Sequence, residues 1–179
     1  MEEFIYETRI PQERVAVLIG TKGEKKREIE KNTKTKIEVD SKEGDITISG
    51  EDSLGLYVCR EIVTAIGRGF NPEIAHLLLK PDYVLEMLNI KDYAKSKDSE
   101  IRLKGRVIGK EGKSRRLIEE LSECYITVYG KTISLIGEGE SVFLAKRAIE
   151  LLLKGSEHST VYKFLEKKRK DLKREAMRI

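Results

Sequence analysis

Residues 17–40 read VLIGTKGEKKREIEKNTKTKIEVD, and residues 107–128 read VIGKEGKSRRLIEELSECYITV. Both stretches place Ile-Gly-x-x-Gly after an apolar run. Each then continues with basic residues, an Ile-Glu pair and an alternation of apolar residues that is typical of a strand. The return of the whole pattern at one spacing indicates two copies of one structural unit.

The spacing between the copies fixes their alignment. Gly20 and Gly109 lie 89 residues apart, and Ile29 meets Ile118 at the same offset. Later in the repeat the offset falls to 87, so the first copy carries two extra residues in one loop. A chain of 179 residues therefore holds two small domains of roughly 65 residues each.

The first copy predicts the order β-α-α-β-β-α. The β-forming residues 4–9 favour a strand, and Pro11 suits the first turn of a helix that runs to Leu18. The other predicted elements are a helix over 24–33, strands over 36–40 and 45–50, and a helix over 53–69 that begins after Asp52 or Ser53.

The second copy predicts the same order. Its elements are a strand near Asn89–Tyr93, helices from Ser99 to Ile108 and from the Gly109 turn to Leu121, strands over 124–129 and 132–137, and a helix from Ser141 to Leu153. The predicted domain organisation is a first domain over 1–70, a helical connector over 71–88, a second domain over 89–156 and a basic C-terminal helix over 157–179.

Two details of this organisation depend on apolar patterning. The connector is expected to hold two short helical segments separated by Lys80 and Pro81. The C-terminal helix has a ragged apolar stripe, so the sequence leaves open whether it packs loosely or projects from the body.

Composition excludes several classes of protein. No apolar run approaches the length of about 18 residues that a bilayer span needs, and the N-terminus has acidic residues where a signal peptide has basic ones. Cys59 and Cys124 occupy non-equivalent positions and are expected to be plain core thiols in a reducing cytosol. The expectation is a monomeric cytoplasmic protein without a membrane partner.

Charge is abundant but uneven. Charged residues make up 37% of the chain, while Gln occurs once and Asn three times, a pattern that indicates a heat-adapted source. The net charge is only +4, but residues 154–179 hold nine Lys or Arg against four Asp or Glu. The basic surplus is therefore concentrated in the last helix.

The glycine turns predict an anion site. A helix that begins at Gly-x-x-Gly leaves N–H groups of its first turn unpaired, and its dipole favours a negative ligand. Glycine has no Cβ, so a sugar-phosphate chain can approach the backbone closely. Adjacent cations would complete each site.

A groove beside each turn is the expected place for bases. Its apolar floor would be formed by Ile19, Ile29, Ile37 and Val39 in the first copy, and by Ile108, Ile118, Ile126 and Val128 in the second. Polar edges of the following strand would then reach the Watson–Crick edges of bases, which only a single strand exposes. Single-stranded nucleic acid is the predicted ligand.

Both copies resemble the type I KH domain, whose Gly-x-x-Gly loop clamps about four nucleotides of backbone. The predicted fold class is therefore α+β, with two tandem KH domains. Within the resemblance, GRGFNPEIAHLLL (67–79) and GRVIGKEGKSRRLIEELSECYITVYGKTISLIG (105–137) are similar to the ribosome-assembly family of Partner of Nob and its KRR relatives. That resemblance implies binding to precursor small-subunit rRNA near its 3′ end, beside the endonuclease that trims it.

The predicted RNA-binding residues surround the two loops. In the first copy they are Gly20, Thr21, Lys22, Gly23, Lys25 and Lys26. In the second they are Arg102, Lys104, Arg106, Ile108, Gly109, Lys110, Glu111, Gly112, Lys113, Ser114, Arg115, Arg116 and Ile126. Glu111 departs from the pattern because its charge opposes phosphate, and the neighbouring cations are expected to outweigh it.

Two functions remain open on the sequence. One is a non-catalytic RNA-binding assembly factor without metal or cofactor. The other is a protein-interaction module in which one KH domain alone binds RNA and the other docks the rRNA-processing nuclease or a translation initiation factor. A metal-dependent nuclease at Asp40, Glu43 and Asp45 is disfavoured, because these carboxylates read as turn residues. His76 and His158 are too isolated to build a metal site.

Overall fold

The computed structural model describes residues 2–179. The chain divides between Tyr83 and Val84 into two compact units, called unit 1 and unit 2 below. Each unit contains one three-stranded sheet and its own helices. The repeated order β-α-α-β-β-α that the sequence predicts is confirmed in both.

Unit 1 follows the predicted elements closely. They are β1 (Phe4–Arg9), α1 (Gln12–Ile19), α2 (Glu24–Thr33), β2 (Lys36–Asp40), β3 (Asp45–Gly50) and α3 (Ser53–Gly67). The Asp52 carboxylate accepts hydrogen bonds from the N–H groups of Leu54 and Gly55, which fixes the start of α3 as expected. Two short helical segments follow, α4 (Pro72–Ala75) and a 3₁₀ turn (His76–Leu79).

The sheet of unit 1 has the order β1-β3-β2, and both pairings are antiparallel. Ile46 and Ile48 of the central strand are buried, as are Ile29 of α2 and Ile62 of α3. The alternation of β3 therefore sends one face into the core against the helices. β2 is an edge strand of this sheet, since it pairs only with β3. Its outer edge lies beside α2.

Unit 2 repeats the architecture and adds a helix. Its elements are β4 (Tyr83–Asn89), α5 (Lys97–Ile108), α6 (Lys113–Ser122), β5 (Tyr125–Tyr129), β6 (Thr132–Glu138), α7 (Gly139–Leu153) and α8 (His158–Met177). The sheet order is β4-β6-β5, so β5 holds the edge position that β2 holds in unit 1. Ile118, Ile133 and Ile149 are among the fully buried core residues.

The prediction for the first strand of the second copy was wrong. The strand occupies Tyr83–Asn89, where the sequence suggested a helical connector segment, and Ile90–Asp92 forms a 3₁₀ turn closed by the Asn89 side chain on the N–H of Lys91. Residues 83–89 include the helix-favouring Leu85, Glu86, Met87 and Leu88, and pairing with β6 overrides that preference. The domain boundaries drawn from the sequence stay a prediction.

The C-terminal helix α8 divides into a packed part and an exposed part. Val161 and Leu165 are buried against α6 and α7. From Lys173 onward every residue is exposed. Thus the helix both packs and projects, and its basic residues lie on both parts.

The remaining polar expectations concern carboxylates and thiols. Asp40 accepts hydrogen bonds from the N–H groups of Lys42 and Glu43 at 2.9 and 3.3 Å, which is turn chemistry. Asp45 pairs with Arg9 across the sheet at 2.7 Å, and that hydrogen bond lowers the pKa of the Asp45 carboxyl. Within residues 2–179 no cluster of three potential metal ligands occurs, and no helix combines the length and apolarity needed to cross a membrane.

Candidate nucleic-acid interface

The two glycine turns have the same backbone. Gly20 and Gly109 both have φ 73°, with ψ of 178° and 174°. The third residue of each turn is left-handed although it is not glycine, with φ 53° at Lys22 and φ 56° at Glu111. Equal backbones at 89-residue spacing show that the repeat seen in the sequence is a repeat of conformation.

The first glycine of each turn is required by its backbone angles. The region with φ near 70° and ψ near 180° is essentially restricted to glycine. A Cβ on Gly109 would lie 2.7 Å from the backbone nitrogen and 2.6 Å from Cβ of Ser114. Glycine at this position therefore allows α5 to stop and α6 to start within four residues.

The helices that follow the turns begin without side-chain caps. Gly23 precedes α2 and Gly112 precedes α6, and neither helix start receives a side-chain hydrogen bond. By contrast, Ser96 caps α5 with its side chain. The N–H of Glu24 at the start of α2 donates to the carbonyl of Thr21, and the N–H of Lys113 at the start of α6 donates to the carbonyl of Lys110. An anion at either helix start is therefore favoured by the helix dipole and by the later N–H groups of the first turn.

Comparison with known proteins decides the family. Residues 5–65 match the KH domain model, and residues 84–170 match the model of the second KH domain of PNO1, described as a eukaryotic-type, type I KH domain. A KH domain-containing protein of Methanocaldococcus jannaschii is 53% identical over 170 residues, spanning 93% of this chain and 74% of that protein. The chain belongs to the PNO1/Dim2 family of tandem KH-domain proteins.

Other members of the family extend the comparison. The pre-rRNA-processing protein PNO1 of Chaetomium thermophilum is 29% identical over 140 residues, and this chain spans 76% of its own length and 52% of that protein's. A chain in the crystal structure of the a/eIF2alpha–aDim2p–rRNA complex of Pyrococcus horikoshii is 45% identical, with a TM-score of 0.88 over 94% of this chain and 96% of that one.

The comparisons confirm the α+β fold class with two type I KH domains, and the family consists of RNA-binding proteins. The heat-adapted character of the composition agrees with the archaeal relatives. In both KH domains the described loop is the Gly-x-x-Gly clamp of the fold.

In the first KH domain, acidic neighbours hold two of the predicted cations. Lys25 Nζ lies 3.1 Å from Glu73, and this hydrogen bond and charge raise the pKa of the lysine. Lys26 Nζ lies 3.2 Å from Glu30. Lys22 is exposed at the left-handed position of the loop and is the cation placed directly in the clamp.

In the second KH domain the cations are arranged differently. Lys110 and Lys113 are exposed on either side of Glu111, and Arg116 donates to the carbonyl of Glu111 at 2.8 Å. That contact is to a neutral carbonyl and not to a carboxylate, so it does not offset the positive charge that Arg116 brings to the loop. Ser114, by contrast, is only 3% exposed, so its side chain is buried in the protein, and its contact with RNA stays a prediction.

Three further predicted residues take other roles or stay untested. Arg106 donates to the carbonyl of Ser156, and its own carbonyl contacts the His158 ring at 2.8 Å, so the geometry assigns it to joining α5 to α8. Arg102 is exposed and Lys104 half-buried on α5, and their contact with RNA stays a prediction.

The expected apolar groove floor was only partly right. The side chains of Ile29, Ile37, Ile118 and Ile126 are buried at 2% exposure or less, so they belong to the two cores. The residues that are half-exposed are Ile19, Val39, Ile108 and Val128. The backbone N–H and carbonyl of Ile126 contact Glu119 and Arg115 at the outer edge of β5, and contact of this residue with RNA stays a prediction.

A pair of glutamates that contact the edge strands was not among the predicted site residues. Glu30 accepts the N–H of Ile37 at 2.8 Å, and Glu119 accepts the N–H of Ile126 at 2.8 Å. Each carboxylate thus bonds the edge strand next to its helix. The signal was present in the repeated Ile-Glu pair, whose isoleucine faces the core while the glutamate faces the strand edge.

Proposed function

We propose that this protein is a non-catalytic ribosome-assembly factor that binds single-stranded precursor small-subunit rRNA near its 3′ end. The observation that carries the proposal is the pair of uncapped Gly-x-x-Gly clamps, each flanked by exposed cations. The names of the relatives support it, because one is a pre-rRNA-processing protein and another is part of a complex with rRNA.

The second clamp is the principal RNA reader in this proposal. Lys110, Lys113 and Arg116 keep their charges available at the start of α6. In the first clamp Lys25 and Lys26 are neutralised by Glu73 and Glu30. Ion pairing of this kind weakens the field that a phosphate experiences.

Binding to RNA oligonucleotides tests the proposal. The full-length protein is titrated with a single strand that matches the 3′ end of small-subunit rRNA, with a scrambled strand, and with a hairpin of the same composition. We expect the matching strand to bind most tightly and the hairpin to compete poorly, since pairing hides the base edges. Equal competition by the hairpin would contradict single-strand recognition.

A second candidate function is docking of a protein partner. It is favoured by the a/eIF2alpha–aDim2p–rRNA complex, in which a relative was solved together with a translation initiation factor subunit. In this reading the first KH domain contributes to a protein contact and the second binds RNA; the rRNA-processing nuclease is the other possible partner. Measuring capture of each purified partner by this protein, with and without RNA, distinguishes the candidates.

A further inference from the structure

The two glutamates that bond the edge strands belong to ion pairs at the same place in both units. Arg115 and Glu119 lie 3.0 Å apart on α6, as Lys26 and Glu30 lie 3.2 Å apart on α2. Arg115 also donates from Nη1 to the carbonyl of Ile126 at 3.2 Å. The pair of unit 2, Arg115 and Glu119, is called the α6 dyad below.

The α6 dyad retains unused hydrogen-bonding atoms. The N–H of Ile126 and the guanidinium of Arg115 both contact the Oε1 atom of Glu119, which leaves the acceptor sites of Oε2 for a ligand. Arg115 makes its contacts through Nη1, which leaves donors on Nη2 and Nε. Both side chains are partly exposed, at 32% for Arg115 and 22% for Glu119.

The position of the α6 dyad places it where a base would lie. Arg115 follows Gly112 by three residues, about 4.5 Å along the helix axis from the clamp. It reaches across to β5, whose outer edge has no strand partner in the order β4-β6-β5. A nucleotide chain held by its phosphate at the clamp would present its next bases over this edge.

We infer that the α6 dyad reads a cytosine, an inference that rests on the proposed RNA-binding function. The Watson–Crick edge of cytosine has one donor, the N4 amino group, and two acceptors, N3 and O2. Glu119 offers one acceptor and Arg115 two donors, so all three groups are satisfied at once. Guanine presents two donors and one acceptor and therefore leaves one group unpaired, which is costly in a partly buried site.

Uracil and adenine fit less well for the same reason. Uracil places its N3–H donor between two acceptors, O2 and O4. This order does not match the dyad, in which the acceptor of Glu119 lies beside the two donors of Arg115. Adenine offers one donor and one acceptor and leaves one Arg115 donor unused. In unit 1, Lys26 replaces the arginine and supplies a point charge rather than a planar fork, so discrimination there is weaker.

The test uses the full chain with Thr21→Asp and Lys22→Asp, which silence the first clamp. Its dissociation constants are measured for oligo(C), oligo(U) and oligo(A) of about ten nucleotides. The dyad variants are Glu119→Gln and Arg115→Lys. Glu120→Gln is the matched control, since it removes the same charge from an exposed position on the same helix. Thermal unfolding of each variant verifies the fold.

We expect the Thr21→Asp, Lys22→Asp protein with its dyad unsubstituted to bind oligo(C) about tenfold more tightly than oligo(U). One well-placed bidentate contact to a base contributes discrimination of this size. Glu119→Gln keeps an oxygen for Ile126 but places an amide N–H₂ opposite the cytosine amino group. That variant should lose the preference while keeping its affinity for oligo(U), and Arg115→Lys should reduce the preference. The control should bind like the unsubstituted dyad.

Other results overturn the inference in distinguishable ways. If oligo(C) is not preferred at the start, or if Glu119→Gln leaves the preference intact, the dyad does not read cytosine while RNA binding still stands. If both dyad variants lose affinity for all three oligonucleotides equally, the dyad shapes the groove without reading a base. If no oligonucleotide binds the unsubstituted protein at all, the proposed function itself fails.

Discussion

The two clamps share a backbone and differ in the charges placed on it. Lys22 occupies the left-handed position of the first loop, and Glu111 occupies the same position of the second. The helix after the first loop begins with Glu24, and the helix after the second begins with Lys113. Glycine fixes the geometry, so the charges beside it can be exchanged between copies without disturbing the fold.

The net charge of each loop does not distinguish the two clamps, so it cannot predict which of them binds RNA more strongly. Each loop with the first turn of its helix contains four basic residues and one acidic residue. In the first, two of the cations are held by Glu73 and Glu30, whereas in the second Arg115 alone is paired with a carboxylate. What differs is the number of cations still available to phosphate.

The largest expected effect comes from placing two aspartates in each clamp. Lys110→Asp with Glu111→Asp should reduce RNA affinity at least about tenfold, because negative charge replaces the site's cation at a helix N-terminus. Thr21→Asp with Lys22→Asp should cost only about threefold by the same mechanism. Aspartate tolerates the left-handed conformation of the third position, so the loops should keep their shape.

Titration of both double variants with one RNA strand measures the difference. The first-loop change alters the charge by three and the second-loop change by two. If charge alone decided affinity, the first-loop variant would therefore be the weaker binder. A larger loss from the first loop would show that the division of labour between the clamps is reversed.

The next comparison concerns stability at the first glycine of each loop. Gly109→Ala should lower the free energy of unfolding by about 3 kcal/mol, since φ is unfavourable and the new Cβ meets the fixed backbone of Ser114. Gly20→Ala should cost about 2 kcal/mol, because the corresponding backbone nitrogen lies 3.0 Å away and the closest atom belongs to the flexible Lys25 chain.

Chemical unfolding of the two alanine variants measures these costs. Gly112→Ala serves as the reference, because its Cβ would enter open space and only the left-handed φ is unfavourable. A Gly109→Ala protein as stable as this reference would show that the loop relaxes around the added methyl group.

A smaller effect is expected from exposed lysines of α8. Lys167, Lys170 and Lys173 are exposed on this helix, and replacing all three by Gln should weaken binding to every RNA alike. Each lost phosphate contact should reduce the slope of log K against log salt by about 0.7. Glu166→Gln, another exposed change on the same helix, is the control. An altered sequence preference with an unchanged slope would contradict this role.

The smallest expected difference concerns the buried thiols. Burial raises the pKa of the Cys124 thiol in unit 2 to about 12, and burial also raises the pKa of Cys59 in unit 1. Since the thiolate is the reactive form, both should react slowly with a thiol reagent at pH 8. Peptide mapping after timed labelling measures both, with guanidinium-unfolded protein as the control in which the rates should converge.

Much of the fold could be predicted because the repeat supplies two readings of each element. The helix 24–33 and strands 36–40 and 45–50 were predicted at the residues where they occur, since glycine turns and strand alternation bound them. The strand at 83–89 was missed because its helix-favouring residues gain strand geometry only from β6. That pairing is a tertiary contact that local sequence does not contain.

The candidate site could likewise be predicted only where local sequence determines the structure. The loop glycines are specified by local backbone conformation and were found from spacing alone. The engagement of Arg106 with the carbonyl of Ser156 joins residues 50 positions apart, and the burial of Ser114 depends on how α6 meets the loop. Sequence gives residue types near a clamp, whereas the partners of each cation depend on packing.

The glutamates that contact the edge strands also have a consequence for self-association. An edge strand with bare N–H and C=O groups is a template for adding a strand of another copy, which leads to aggregation. Glu30 of α2 accepts one such N–H on β2, Glu119 of α6 accepts one on β5, and Arg115 donates to a carbonyl of β5. These contacts reduce the number of free backbone groups at the two strand edges beside the glycine loops, which should disfavour strand addition by another copy.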